Sequence, residues 1–469
     1  LDPITRTLLD TIERLRSTAP SLEEQLDAIT ASLTSAPRIV IVGRLKAGKS
    51  TLVNALIGSP ASETAALEAT NVVTVFEYGA PDRAVAHLLN GESIAINTKR
   101  GQVAELPADA RSINYVRRWM PAAPLRDYSL IDTPGLATLT EDNERATRRA
   151  LIEGYEQTKN ASVDADAAIF LFDTTPRRDE VEFLTSLGFT PLNTLGVLSR
   201  ADGFAQGALG DRDPFEQACV HAETIAGELK QYLTTVVPVA GLLAETSHTG
   251  ALTENDARDI ARFSQRDDID LLRGLLGTVE EADGGIERIV KLIGEYGLFR
   301  GRATAAHGAA ALNDWLIEAS RLPQLKDIIN RTITPYARLH RAGRIIAGLE
   351  QLAYSHPEHR EAVRNASHDL RQHEALQPAI LLMDLKAVLK ENPDSELVDM
   401  LLPLITGYYP ADKMGLDRYA SGYDIIEAVR QARVTLQGLT FSVGPAEEAA
   451  MITINRALDA VERAGEALT

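Results

Sequence analysis

Apolar residues at the start of the chain recur at helical spacing. Leu1, Ile4, Leu8, Ile12 and Leu15 follow one another every three or four residues behind Asp2-Pro3, a helix-opening pair. A second helix is expected from Ser21, with Glu24 completing a capping box and Leu22, Leu26, Ile29 and Leu33 along one face. From Arg38 the period changes. Ile39-Val40-Ile41-Val42 is a continuous apolar run closed by glycine, the pattern of a strand buried on both faces, and similar runs recur at Val72–Tyr78, Tyr128–Ile131, Ala167–Phe172, Leu195–Leu198 and Val236–Val239. Asn90-Gly91 between Val85–Leu89 and Ser93–Ile96 predicts a hairpin, so part of the sheet is expected to be antiparallel. Residues 36 to about 282 therefore read as a mixed, mostly parallel α/β domain.

Beyond Gly285 strand patterns give way to long amphipathic ones: Ile286–Ala319, Gln324–Ala353, Glu358–Leu389, Tyr419–Leu439 and Pro445–Leu468. Breaks are expected at Pro323, Pro357, Pro393 and Pro410, and bends at Pro335 and Pro378. A helix as long as the first of these would measure roughly 50 Å at 1.5 Å per residue, so the expectation is an elongated all-α bundle that the two leading helices complete.

Composition narrows the class. At 469 residues, 45% apolar and 24% charged, the chain is long enough for two or three modules of ordinary globular character. Its 48 Lys plus Arg against 66 Asp plus Glu leave a net charge of −18, which makes nucleic acid an unexpected partner. One cysteine, Cys219, offers neither a disulfide nor a zinc cluster. His356 and His359, the closest histidine pair, flank Pro357 and read as surface residues. No run approaches the ~20 apolar residues of a membrane span and the start shows no export pattern, so the expected setting is the cytoplasm, with any membrane contact peripheral.

The chemistry concentrates in a few segments. Gly43-Arg44-Leu45-Lys46-Ala47-Gly48-Lys49-Ser50 fits G-x-x-x-x-G-K-[ST] and lies between a predicted strand and a predicted helix, which is the context that motif requires. Glycines let the loop wrap phosphates, successive backbone N–H groups and the helix N-terminus supply positive dipoles, Lys49 reaches the β and γ phosphates, and Ser50 ligates Mg²⁺; Thr51 completes the contact set. Asp132-Thr133-Pro134-Gly135 follows a strand, placing Asp132 to hold Mg²⁺ through water and Gly135 to sense the γ phosphate. Thr70 is the candidate switch threonine on Mg²⁺, with Thr74 the other choice. Ser199-Arg200-Ala201-Asp202 approximates [NT]-K-x-D. A carboxylate at Asp202 can accept from guanine N1 and N2, a donor edge adenine lacks, so GTP and GDP are the expected ligands, with Arg200 stacking along the base. Ala240-Gly241 offers a backbone N–H for the guanine oxygen.

This order of elements, together with Gly43–Gly58 and Thr70-Asn71-Val72-Val73-Thr74, resembles the bacterial dynamin-like proteins. The likeness is tight over residues 37 to 245 and only architectural over the helices. It implies a P-loop GTPase domain with a mixed, mostly parallel sheet at 37–282, a helical neck and trunk at 283–469, and N-terminal helices at 1–36 packing into the neck. It further implies a peripheral protein on the inner face of the cell membrane that binds and remodels lipid and associates with itself or a related GTPase. Two departures bear on hydrolysis. Leu136 stands where small signalling GTPases place a water-orienting glutamine, and Leu45 where eukaryotic dynamins place a polar one. Lys46 occupies the position of the internal arginine finger of guanylate-binding proteins, and is either a catalytic cation or a solvated loop lysine.

A membrane-contacting tip is expected at about 392–419, with Leu322-Pro323 at the same end of the bundle. Its candidate residues are Leu401, Leu402, Leu404, Tyr408, Tyr409, Lys413, Met414 and Arg418, with anionic lipid as partner; the alternative is that they cap the bundle's own core. Two other functions share the site chemistry: a GTPase of ribosome assembly or RNA handling, and a nucleotide-gated membrane tether with little turnover.

Overall fold

The computed structural model describes residues 2–61, 72–99, 102–103, 107–109, 112–134, 165–275, 284–439 and 443–469. Two helices come first, α1 (Pro3–Thr18) and α2 (Glu23–Thr34). The Asp2 carboxylate accepts from the Thr5 amide at 2.9 Å and caps α1, as its sequence predicts. Ser21 does not cap α2. Pro20 starts a 3₁₀ turn through Leu22, the helix begins at Glu23, and the Ser21 hydroxyl lies 2.6 Å from His359 Nε2 instead.

The strands are β1 (Arg38–Gly43), β2 (Thr74–Tyr78), β3 (Arg83–Leu88), β4 (Ser93–Ile96), the short β5 (Thr98–Lys99) and β6 (Gln102–Val103), β7 (Ile113–Met120), β8 (Ser129–Asp132), β9 (Ala167–Phe172), β10 (Thr194–Ser199) and β11 (Val236–Val239). Nine of them form one sheet in the order β11-β10-β9-β1-β8-β2-β7-β3-β4. Strands β11 through β8 run parallel, β2 is antiparallel to β8 but parallel to β7, and β3 and β4 add an antiparallel edge. The sheet is thus mixed and mostly parallel. The Asn90-Gly91 hairpin forms, with Gly91 at φ 88°.

Helix α3 (Lys49–Ile57) follows β1, and α4 (Arg178–Ser186), α5 (Pro214–Glu228), α6 (Gly241–His248), α7 (Glu254–Arg262) and α8 (Asp268–Leu275) follow in order. Next come α9 (Gly284–Ala305), α10 (Ala309–Ser320) and α11 (Leu322–Ile328). The expected single helix from Ile286 to Ala319 is two helices, because the chain turns at Gly308, φ 96°. Ile286, Ile289 and Ile293 of α9 and Leu312 and Leu316 of α10 are buried in the same core as Val40, Phe170 and Leu198 of the sheet. These helices therefore belong to the compact unit Ala36–Pro335, which extends past the boundary read at residue 282. Leu322 is buried there too, with α11 packed on α3 and β11, so Leu322-Pro323 is not at a bundle tip.

A π-helical turn, Ile329–Ile333, leads from α11 into α12 (Thr334–Ser355). Then follow α13 (Arg360–Gln372), α14 (Gln377–Glu391), α15 (Glu396–Thr406), the short α16 (Pro410–Lys413), α17 (Gly422–Leu439) and α18 (Pro445–Glu466). Pro378 falls in the first turn of α14, where a missing N–H costs nothing, whereas Pro335 follows the π-helical turn within a continuous helical run, where that irregular turn accommodates the missing donor. The second compact unit joins Leu1–Ser35 to Tyr336–Thr469. Within it, buried Arg341 of α12 donates to the carbonyls of Ser32 at 2.6 Å and Ser35 at 2.7 Å, tying down the end of α2.

Candidate functional site

Strand β1 lies mid-sheet between β8 and β9 and ends at Gly43, beside Leu171 of β9. A β-carbon on Gly43 would sit 2.3 Å from the Leu171 carbonyl oxygen, so only glycine lets the chain leave the sheet here. The loop then turns through two left-handed residues, Lys46 at φ 64° and Gly48 at φ 95°, and α3 starts at Lys49. Its first N–H groups have no acceptor within the helix and face the loop, the arrangement that suits phosphate.

Lys49 is buried at the loop's centre, its ammonium donating to the carbonyls of Gly43 at 3.1 Å and Arg44 at 3.0 Å. Burial presses its pKa down to about 8 against the opposing pull of the Asp132 charge. The Ser50 hydroxyl donates to Asp132 Oδ2 at 3.1 Å, and the Thr133 hydroxyl holds the end of β8 to the Ile41 carbonyl at 2.7 Å. Ser50 and Asp132 thus converge from two elements as hard oxygen donors, a set that fits Mg²⁺, which takes one or two protein oxygens and completes its shell with phosphate and water. Among the described residues no three His, Cys, Asp or Glu side chains gather into a metal cluster. Thr70, Gly135 and Leu136 lie outside the described residues, whereas Thr74 opens β2 directly opposite Asp132.

Arg44 reaches away from the loop's centre. Its guanidinium pairs with Glu180 of α4 at 2.6 Å in a nearly buried bridge, and the same carboxylate accepts from the Arg177 amide at 2.8 Å. Leu45 is exposed. No motif announced Glu180, since a lone glutamate in an amphipathic helix has no spacing that marks it.

The other end of the site follows β10. Arg200, left-handed at φ 55°, begins a 3₁₀ turn, Ala201–Gly203, and donates to the Lys46 carbonyl at 2.9 Å, bridging the base motif to the phosphate loop. Asp202 is largely desolvated, which raises its carboxyl pKa, with the Arg200 charge opposing. One cavity of about 580 Å³ runs from Ala47, Gly48 and Thr51 to Ser199, Arg200 and Asp202. Gly241 lines it and lies close to α3, a β-carbon there meeting Thr51 Cγ2 at 3.4 Å. Ala240 does not face the base as expected: it is buried, and its N–H donates to the Ser320 carbonyl at 3.1 Å. Two residues of α9 that the sequence did not mark, Glu295 and Tyr296, also line the cavity.

In the helical unit, Leu401 and Leu404 of the expected tip are buried in α15, because its apolar stripe faces the unit's own core. Leu402, Lys413 and Met414 are half-buried. What remains outside is aromatic and basic. Tyr408 is 84% exposed and Tyr419 89%, and Arg418 lies 4.2 Å over the ring of Tyr409, which packs edge-on against Tyr408.

The family model described as MMR_HSR1, a 50S ribosome-binding GTPase, matches residues 38–193. Isoniazid-induced protein IniC of Mycobacterium tuberculosis is 32% identical over 362 residues, covering 71% of this chain and 70% of the relative. The bacterial dynamin-like protein of Nostoc punctiforme is 28% identical over 121 residues, 24% of this chain and 17% of its own. A solved oligomerised bacterial dynamin pair is 14% identical and covers 99% of this chain and 74% of that one, at a TM-score of 0.33. The assignment rests on the long IniC match and on the P-loop and Asp132 at the ends of adjacent parallel strands: the chain belongs to the bacterial dynamin-like GTPases.

Proposed function

We propose that the chain hydrolyses GTP to GDP and phosphate with Mg²⁺ at this site, and uses the cycle to remodel a membrane that it binds peripherally. The observation that carries the reading is the single cavity joining the phosphate loop to Asp202, with Lys49, Ser50 and Asp132 converging at the phosphate end. In this reading Lys49 and the amides at the start of α3 hold the β and γ phosphates, Ser50 and Asp132 carry Mg²⁺, and Thr70 orients the attacking water. The metal, when bound, neutralises charge on the phosphates. Lys46 supplies a cation toward charge developing between the β and γ phosphates, and Asp202 selects guanine.

The membrane part is supported by Tyr408, Tyr419 and Arg418, which together present amphipathic rings and positive charge suited to an anionic lipid surface. Among the described residues no helix is long and apolar enough to cross a membrane; the reading takes the contact as peripheral, on the inner face. In this reading the unit Ala36–Pro335 acts as the G domain, the helices of the other unit act as neck and trunk, and copies of the chain or a related GTPase act together. The net charge of −18 weighs against an RNA-handling role.

The test pairs GTP turnover with vesicle co-sedimentation. Lys49→Ala is expected to abolish turnover, while Tyr408→Ser with Tyr419→Ser is expected to release the protein from anionic vesicles and leave basal turnover unchanged. Vesicle binding without lipid-stimulated turnover would make the chain a tether instead. Absence of binding to any vesicle would remove the membrane role.

A further inference from the structure

The base end of the cavity has a wall that none of the nucleotide motifs supplies. Helix α9 is broken in its middle at Gly294, whose φ of 66° and ψ of 178° leave the helical region. The carbonyl of Leu292, just before the break, accepts from the Thr246 hydroxyl of α6, so the kink is held by a neighbouring helix. At the kink the backbone meets the base-reading carboxylate: a β-carbon on Gly294 would lie 3.4 Å from Asp202 Oδ2.

The next two residues turn into the cavity. Tyr296 is fixed there, its hydroxyl donating to Asp213 Oδ2 at 3.1 Å and its ring packed edge-on to Phe215 and stacked on Trp315. Glu295 is different, because it is exposed at the mouth and pairs with no cation among the described residues.

Guanine presents one N1–H and two hydrogens on its 2-amino group. A single carboxylate takes N1–H and one 2-amino hydrogen, leaving the other in need of an acceptor from a different element. We propose that Glu295 is a guanine-specificity residue whose carboxylate accepts that second 2-amino hydrogen beside Asp202. The inference rests on Asp202 reading the base. The α9 kink then has a purpose in recognition: its left-handed Gly294 lays the backbone against Asp202 and swings the following glutamate to the base edge.

The experiment titrates the full chain with Mg·GDP and Mg·IDP, which differ by the 2-amino group alone, for the wild type, Glu295→Ala and Glu295→Gln. Glu295→Ala is expected to weaken GDP about tenfold, the loss of one charge-assisted hydrogen bond, and to leave IDP within about twofold. Glu295→Gln keeps an acceptor oxygen and is expected to recover most of the GDP affinity. Equal losses for both nucleotides would place Glu295 on the sugar or phosphates and overturn the assignment, as would no change for either. A wild-type chain that binds neither nucleotide would instead defeat the reading of the whole site. The exposed position leaves the thermal midpoint unchanged, which separates recognition from misfolding.

Discussion

Raising the pH through 8 tests the phosphate end of the site without changing a residue. In the nucleotide-free protein Lys49 is buried, shares its ammonium protons with two backbone carbonyls, and has a pKa of about 8 against an ordinary 10.5. The folded value lies below the unfolded one, so charged Lys49 destabilises the empty protein, by at most about 3 kcal/mol at neutral pH, and stability contributed by this group rises between pH 8 and 10.5. A bound polyphosphate, already anionic above its second pKa of about 6, reverses the balance and returns the bound lysine toward 10.5 or higher. Binding must then take up a proton wherever the free lysine has lost one: about half a proton at pH 8 and about 0.9 at pH 9, with affinity falling about tenfold between pH 7 and pH 9. Calorimetry of GDP binding in buffers of different ionisation enthalpy measures the uptake directly. Flat affinity from pH 7 to 9 with no buffer-dependent heat would refute both the buried lysine and its contact with phosphate.

Three further outcomes follow from the geometry. Gly43→Ala places a methyl 2.3 Å from the Leu171 oxygen where a C···O contact needs about 3.3 Å, so β1 and β9 must part; a loss of about 2 kcal/mol and at least a tenfold weaker GDP are expected, and an unchanged melting midpoint would contradict it. Lys46→Ala is expected to lower kcat by tenfold or more with GDP affinity within about twofold, the mark of a group acting in the transition state; turnover equal to wild type would make Lys46 a plain loop residue. Arg341→Leu removes charge-assisted bonds to the end of α2 and is expected to cost about 2 to 4 kcal/mol, with faster hydrogen exchange in α2, whereas unchanged protection there would deny it that role.

The central strands were legible because each is apolar on both faces, which leaves a continuous run that few other structures produce. The outer sheet was legible only in part: β2 and the β3–β4 hairpin were read, and β7 was not. Strand β7 escaped notice because Arg117-Arg118 interrupts its apolar pattern, yet Arg118 is fully buried, bonded to the Ala61 carbonyl at 2.9 Å and paired with Asp82. A buried, paired arginine looks in sequence like a solvated one. Long-range pairing hid the strand order too: β2 lies parallel to β7 and antiparallel to β8, a choice made by elements far apart in the chain. In the site, the phosphate loop and Asp132 were readable because backbone geometry demands fixed residues at fixed spacing. Glu180, Glu295 and Tyr296 reach the site through tertiary position alone. The helical pattern overran Gly308 because amphipathic spacing resumes beyond it, and only the left-handed turn reveals the break.

The helical unit is assembled from two stretches of chain with the whole of Ala36–Pro335 between them. During synthesis, α1 and α2 leave the ribosome with Leu8, Ile12, Leu15 and Leu26 destined for burial, and the helices of their own unit arrive about 300 residues later, roughly 15 to 60 seconds at ordinary elongation rates. For that interval the nascent chain carries two apolar-faced helices without their partners, an invitation to chaperones, while the sheet unit, contiguous in sequence, is free to fold first.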